Sequence, residues 1–179
     1  MSSESPGLIE LVTDDAASMV ESSVQLAESL GVPTTGMAAR LWRARSHAAH
    51  GSFLRAEMPV IEESDIPNLK SFMLSDGVLL EEDTVRPKDL VPLQKQIYVD
   101  KVIRAIASHG VNAERAFVSS KHIVTTSDRH IVDGHHRWLT GMLLDPDKPT
   151  PAVCATGTAS EVLSDFIAFS DAEGHERNE

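Results

Sequence analysis

Residues 131–138, with the sequence IVDGHHRW, combine features suited to binding phosphate. Two β-branched residues lead into Asp133-Gly134, and apolar residues recur at helical spacing from Trp138 onwards, which predicts a strand, a sharp turn and a helix start. A helix start carries unpaired N–H groups and the positive end of the helix dipole. Gly134 allows a ligand to approach the backbone closely, and Arg137 can bind phosphate oxygens through two hydrogen bonds. The segment therefore predicts an anion site, with a nucleotide as the expected anion.

Three side chains in this turn have the chemistry of a reactive site. Asp133 can accept a proton from a hydroxyl or orient a magnesium ion. His135 and His136 can donate to phosphate oxygens, and we expect one of the two to point into the core instead. Adjacent helical positions point about 100° apart, so the histidine pair does not predict a zinc site. We therefore predict Asp133, His135 and His136 as catalytic residues, with Asp133 also as the magnesium ligand.

Composition limits the size and location of the protein. The 179 residues, 41% of them hydrophobic, can bury one core and a small accessory unit. The single cysteine, Cys154, excludes an internal disulfide and a cysteine-rich zinc site. No apolar run reaches membrane-spanning length, and the acidic N-terminus is unlike a signal peptide. These features predict a cytoplasmic protein, of a bacterial cell or a phage-infected host, with no membrane partner.

Charge is distributed unevenly along the chain, whose formal net charge is -11. Residues 1–28 contain six acidic residues and no lysine or arginine, whereas residues 29–56 contain no acidic residue and four arginines. A basic segment in an acidic protein is a candidate nucleic-acid surface. A solvated helix face with a local bias in composition explains it equally well.

The same basic segment contains the pattern of two helices joined by a short turn. Apolar spacing predicts helices over residues 20–30 and from Thr34 or Thr35, as the cap, to about 47. Residues 26–41 resemble the helix-turn-helix of bacterial and phage DNA-binding proteins, although Gly36 then falls inside the second helix. The residues predicted to contact DNA are Thr34, Thr35, Arg40, Arg43 and Arg45. Whether residues 1–56 form an independent DNA-binding domain or a helical arm on the rest stays open.

The remaining chain predicts a small α+β domain. Residues 57–83 are acidic and interrupted by proline, which suggests a linker with a short strand or hairpin. Residues 84–170 form the predicted domain, and residues 171–179 form a polar tail. Strands are expected over 85–91, 116–119, 122–125, 130–132 and 150–155. Helices are expected over 98–109, from 135, and from the capping box formed by Thr158 and Glu161.

Residues 84–155 resemble the ParB/sulfiredoxin superfamily. Residues 85–94, VRPKDLVPLQ, are similar to its opening strand and proline-containing loop, and residues 133–138 are similar to its phosphate-binding turn. The resemblance implies a small mixed-sheet domain, here preceded by the helix-turn-helix-like segment, that binds ATP, ADP or CTP. It implies phosphate contacts from Gly134, His135, His136 and Arg137, to which we add the loop residues Gln94 and Lys95.

Departures from the pattern discriminate among branches of that superfamily. His135 stands where sulfiredoxins carry their reactive cysteine, and residues 134–137 lack the acid and one arginine of the partition proteins, so CTP is less favoured than ATP or ADP. The serine kinases carry Asp-Gly-His-Thr-Arg, which differs here only at His136. Their further glutamate is not identified in this chain. The acidic residues considered for that role are Glu81, Glu82, Asp83, Asp89 and Asp100.

The kinase-like resemblance implies a magnesium-dependent phosphotransferase that uses ATP or ADP and acts on a hydroxyl. Free serine and a hydroxymethylated base in DNA are the acceptors considered. One alternative is a DNA-binding regulatory or partition-type protein that is switched by nucleotide without phosphoryl transfer. A second alternative is a ParB-like nuclease. A homodimer is left open.

Overall fold

The computed structural model describes residues 8–176, which form seven α-helices and a five-stranded mixed sheet. The helices are α1 (Ala16–Ser29), α2 (Met37–Ala48), α3 (Ile66–Ser75), α4 (Val99–His109), α5 (Val111–Ser120), α6 (His135–Leu144) and α7 (Ala159–Ala172). The strands are β1 (Leu80–Val85), β2 (Val91–Pro92), β3 (Ile123–Thr125), β4 (His130–Asp133) and β5 (Thr150–Ala155). The predicted α+β class is confirmed.

The sheet has the strand order β1-β5-β3-β4-β2. β5 pairs antiparallel with β1 and parallel with β3, while β4 pairs antiparallel with β3 and parallel with β2. β4 is thus hydrogen-bonded on both sides, which fixes the position of Asp133 at its end. No helix within residues 8–176 is long and apolar enough to cross a membrane.

Two hydrophobic clusters lie on opposite faces of the sheet. Successive side chains of a strand point to opposite faces, and accordingly Ile131 belongs to one cluster and Val132 to the other. The first cluster contains buried residues of α1, α2, α4 and α6, including Leu41 and Trp138. Because α1 and α2 contribute to this shared core, the helical arm is the arrangement that the structure shows for residues 8–56.

Residues 57–83 include the short strand expected there, as the first part of β1, but they are not a linker. They contain α3 and most of β1, and Leu69 and Met73 of α3 are fully buried in the second cluster. Pro67 lies in the first turn of α3, where proline is tolerated because the first N–H groups of a helix have no partner within the helix. Pro67 therefore marks the start of a helix and not an interruption of the chain.

Two predicted strands are also wrong. The strand expected over 85–91 is divided, because β1 ends at Val85 and a 3-10 turn over Pro87–Asp89 precedes β2. Residues 116–119 lie in α5, where Glu114 and Val118 are buried one helical turn apart. The spacing of a short apolar run does not distinguish a strand from a helix. In residues 116–119, packing against α6 stabilises the helix.

The start of α2 differs from its prediction as well. Gly36, with φ of 75°, is the N-terminal cap, and no side chain of Thr34 or Thr35 caps the helix. Gly36 therefore lies before the helix and its left-handed backbone suits glycine. The helix expected over 98–109 is present over 99–109 and ends at Gly110, and the strand over 150–155 and the capping box of α7 are confirmed.

The predicted polar tail starts later than expected. α7 continues to Ala172, and His175 contacts Asp65 with Nε2 2.6 Å from the carboxylate Oδ2. The last three residues, 177–179, lie outside the described part of the chain.

Candidate functional site

The turn between β4 and α6 has the predicted strand–turn–helix form. β4 ends at Asp133, Gly134 adopts φ of 101°, and α6 begins at His135. No side chain caps the start of α6. Its first N–H groups have no partner within the helix and are therefore available to an anion. The four residues 134–137 all line one cleft.

This cleft has a volume of about 280 Å³ and is enclosed by α4, α5 and the start of α6. Three cationic side chains, Arg55, Lys101 and Arg137, line it. Lys101 Nζ lies 4.9 Å from the centroid of the Tyr98 ring, and Arg55 Cζ lies 6.0 Å from it. Both cations therefore lie beside the Tyr98 ring, which itself stacks on the ring of His136 with centroids 6.3 Å apart. The helix dipole and three positive charges act on the same space.

Asp133 and Arg137 form the charged pair of the turn. The carboxylate Oδ2 lies 3.8 Å from Arg137 Nη2, and the carboxylate also accepts hydrogen bonds from the N–H groups of Gly134 and Ile61. Burial raises the pKa of Asp133 to about 6, although the neighbouring guanidinium and the two N–H donors act in the opposite direction. Asp133 is therefore mostly ionised near pH 7 and can take up a proton at little cost.

The two histidines hold the loop that precedes α4. His135 Nε2 accepts a hydrogen bond of 3.2 Å from the Gln94 N–H, and His136 Nε2 accepts one of 3.3 Å from the Tyr98 N–H. Burial lowers the pKa of His135 to about 3 and that of His136 to about 4. Both rings are therefore neutral at pH 7 and carry their proton on Nδ1. The expectation that one ring points into the core is confirmed for His135, which is 4% exposed.

The loop residues predicted as phosphate ligands have different positions. Gln94 is buried and lines the cleft, and its side-chain amide donates to the carbonyl of Gln96. Lys95 is exposed and is not among the residues that line the cleft. The cations that do line it, besides Arg137, are Lys101 and Arg55. Neither was predicted, because each reaches the cleft from a segment that is distant from the turn in sequence.

The second carboxylate of the cleft is Glu114, which sequence reasoning missed. Glu114 is buried in the first turn of α5, and its Oε1 lies 2.8 Å from His109 Nδ1. The acidic residues that were considered lie elsewhere. Asp100 accepts a hydrogen bond from the Ile9 N–H, Asp89 pairs with Arg86, and Glu81, Glu82 and Asp83 are exposed residues of β1. Glu114 was missed because residues 116–119 were predicted to be a strand, so the helix α5 that carries Glu114 was not expected.

The surroundings of Asp133 do not fit a magnesium site. Magnesium prefers oxygen ligands in octahedral geometry, whereas Asp133 accepts two N–H donors and faces a guanidinium. In the described part of the chain, the donor atoms close enough together to hold a metal ion belong to Glu62, Asp65 and His175, none of which lines the cleft. We therefore assign no metal ligand in the cleft.

The residues predicted to contact DNA are mostly engaged within the protein. Arg40 Nη1 donates to the carbonyls of Leu143 and Leu144, at 2.7 and 3.3 Å, and Arg45 Nη2 donates to the Thr13 carbonyl at 2.9 Å. Both guanidinium groups thus stabilise the packing of α2. Arg43 and Thr35 are exposed, and Thr34 is half-buried. Trp42 is 46% exposed, so it belongs to the surface of α2 and not to the core.

Comparisons with known proteins leave the family unassigned. A scan against protein-family models, a search of curated proteins and a search of solved structures each returned no match. The resemblance to the ParB/sulfiredoxin superfamily stays a prediction that rests on the residues of the turn and the preceding loop.

The pKa shifts predict how stability depends on pH. His135 and His136 have lowered pKa values in the folded protein, so the stability they contribute is present above pH 6.5 and is lost as the pH falls towards 4 and 3. Asp133 has a raised pKa, so its contribution has the opposite sign between pH 3.8 and about 6. We expect the free energy of unfolding, measured by urea titration, to fall less steeply with acid in His135→Gln and more steeply in Asp133→Asn.

Each substitution should alter the slope of the free energy of unfolding against pH by about 1.4 kcal/mol per pH unit. Between its two pKa values, each group binds one proton in only one of the folded and unfolded states. A shallower slope in Asp133→Asn would contradict the assignment of a raised pKa to this carboxylate. An unchanged slope in His135→Gln would show that this ring is protonated as readily in the folded protein as in the unfolded chain.

Proposed function

We propose that the protein binds a nucleotide through its phosphates in this cleft and uses it as a phosphoryl donor to a hydroxyl. The observation that carries the proposal is the convergence of the uncapped start of α6 with the cations Arg55, Lys101 and Arg137 in one cleft. Phosphoryl transfer depends mainly on positioning and on neutralising the charge of the transferring group. A cleft with this charge distribution supplies both.

Each group of the turn has a distinct role in this proposal. The N–H groups of His135 and His136 bind phosphate oxygens at the helix start, and Arg137 binds them through its guanidinium. His136 lines the cleft, and its protonated Nδ1 donates another hydrogen bond to the phosphates in this proposal. His135 positions the turn, because its hydrogen bond to the Gln94 N–H joins α6 to the loop.

Asp133 is the proposed general base. The acceptor hydroxyl gives its proton to the Asp133 carboxylate while its oxygen forms a bond to the terminal phosphorus, and the bond from that phosphorus to the bridging oxygen breaks. The leaving nucleotide carries the electron pair of the broken bond. A base with a pKa of about 6 is suited to this step near neutral pH, because it is ionised before the reaction and still basic enough to accept the proton.

Replacing Arg137 with alanine should weaken nucleotide binding about 10- to 100-fold, since a charge-assisted hydrogen bond to phosphate contributes roughly 1.5–3 kcal/mol. Isothermal titration with ATP and ADP measures the change. The matched control is Arg43→Ala, which removes one exposed arginine from α2, outside the cleft. Equal affinity in the wild type and Arg137→Ala would show that phosphate binds elsewhere.

The transfer itself is tested with labelled ATP or ADP in magnesium-containing buffer. Free serine and DNA with a hydroxymethylated base serve as separate acceptors, and the labelled product identifies the one that is used. Nucleotide binding without transfer to either hydroxyl, or to water, would refute the phosphotransferase and leave a nucleotide-binding protein.

One contact favours a second function, namely DNA binding that nucleotide regulates. Arg40 joins α2 to the carbonyls at the C-terminal end of α6, the helix whose other end forms the proposed phosphate site. Movement of α6 on nucleotide binding would therefore be transmitted to α2 and its exposed residues. DNA affinity that changes with nucleotide and weakens in Arg43→Ala, in the absence of transfer, would support this function over the enzyme.

A further inference from the structure

The cleft continues into a second, more apolar groove between α4 and α5. The groove has a volume of about 640 Å³ and shares Ala105, Glu114 and Phe117 with the cleft. Its other lining residues are Ser108, His109 and Ala113. Together the two form one trough, with the helix start and three cations at one end and small apolar side chains with an aromatic ring at the other.

We infer that this groove binds the heteroaromatic base of the nucleotide, and that it favours a base with an exocyclic amino group. The inference rests on the proposed function, because the phosphates of the same molecule occupy the cationic end. A ligand that fills both ends needs an anionic group and a flat apolar group joined by a short spacer. A nucleotide has this composition.

Phe117 provides the surface on which a base can stack. It is 38% exposed although it is a large apolar side chain, and it lines both the cleft and the groove. The small side chains of Ala105 and Ala113 leave room for a flat ring beside it. Stacking of a base on an aromatic side chain tolerates any base, so Phe117 supplies affinity and not discrimination.

Glu114 supplies the discrimination between bases. Its carboxylate is buried where cleft and groove meet, and His109 Nδ1 engages its Oε1. An ionised carboxylate has four acceptor sites and no donor, so it retains the capacity to accept a hydrogen bond from a ligand. The amino group of adenine or cytosine donates to it, whereas uracil has a carbonyl in the position of the cytosine amino group, and this carbonyl repels the carboxylate. A ring carbonyl that faces this buried carboxylate leaves two acceptors without a donor, which weakens binding of that base.

The experiment compares ATP, CTP, UTP and inorganic tripolyphosphate by isothermal titration on the full chain. In the wild type we expect ATP and CTP to bind at least about 10-fold more tightly than tripolyphosphate, with UTP weaker than either. Phe117→Ala should weaken the binding of ATP about 10-fold and leave the binding of tripolyphosphate unchanged. Trp42→Ala, which removes an exposed aromatic ring outside the trough, is the matched control. Glu114→Gln should reduce the preference for ATP over UTP.

The outcomes separate this inference from the function on which it rests. Tripolyphosphate that binds as tightly as ATP, with both weakened by Arg137→Ala, would overturn the base site and keep the phosphate site. If Phe117→Ala reduced the affinities for ATP and tripolyphosphate equally, the base site would also be overturned, because the ring would then affect the phosphate end of the trough. Absence of binding by any of the four compounds would refute the phosphate site and the base site together.

Discussion

Asp133→Asn should reduce the rate of phosphoryl transfer by about 10²- to 10⁴-fold, which is the usual contribution of a general base. Asparagine has nearly the shape of aspartate and can still accept the N–H groups of Gly134 and Ile61, but it does not take up the proton of the acceptor hydroxyl. Nucleotide should therefore bind with little change. Single-turnover measurements with labelled ATP separate the chemical step from binding and product release.

The pH profile gives an independent readout of the same carboxylate. Because the pKa of Asp133 is about 6, the wild-type rate of transfer should fall as the pH drops below this value, about 10-fold for each further unit. The matched control is Asp83→Asn, at an exposed position of β1, which should retain both the rate and the profile. A rate in Asp133→Asn within a few-fold of the wild type would remove Asp133 from the mechanism.

Gly134→Ala should weaken nucleotide binding by about 100-fold and also destabilise the fold. The backbone of Gly134 has φ of 101°, which side chains rarely allow, and an added Cβ would lie 3.0 Å from Arg137 Nη2 and 3.2 Å from Nε. Backbone strain of this kind costs about 1–3 kcal/mol. The guanidinium must also move away from the position in which it is proposed to bind phosphate, and the methyl group blocks close approach to the helix start.

Gly77→Ala separates backbone strain from the effect on the site. Gly77 has a positive φ of 79°, and a Cβ added there meets no atom within 4 Å. This variant should lose stability in urea or thermal unfolding but retain its affinity for ATP. Equal affinities in Gly77→Ala and Gly134→Ala, measured under conditions where both are folded, would show that the turn does not contact the ligand.

Elements with strong local signals were predicted correctly. α4 follows from the helical spacing of Val99, Val102, Ile103 and Ile106 and ends at a glycine, while α7 begins with a capping box. In contrast, α3 and α5 have weak local signals, and burial against neighbouring elements stabilises them. Their apolar residues were interpreted as a linker and a strand, since short segments of either kind look alike without their packing partners.

The order of residues in the turn by itself determined the strand end at Asp133, the left-handed glycine, the helix start and an arginine one turn later. These depend only on backbone geometry and on spacing within a few residues, so local sequence is enough to specify them.

Only the tertiary structure decided which distant groups join them. Packing brings Lys101, Arg55 and Glu114 to the cleft, and it turns Arg40 and Arg45 inwards to backbone carbonyls. The physical reason is that burial selects the partners of polar groups. A buried carbonyl or ring nitrogen needs a donor, and the nearest donor in space is set by the fold and not by the sequence interval.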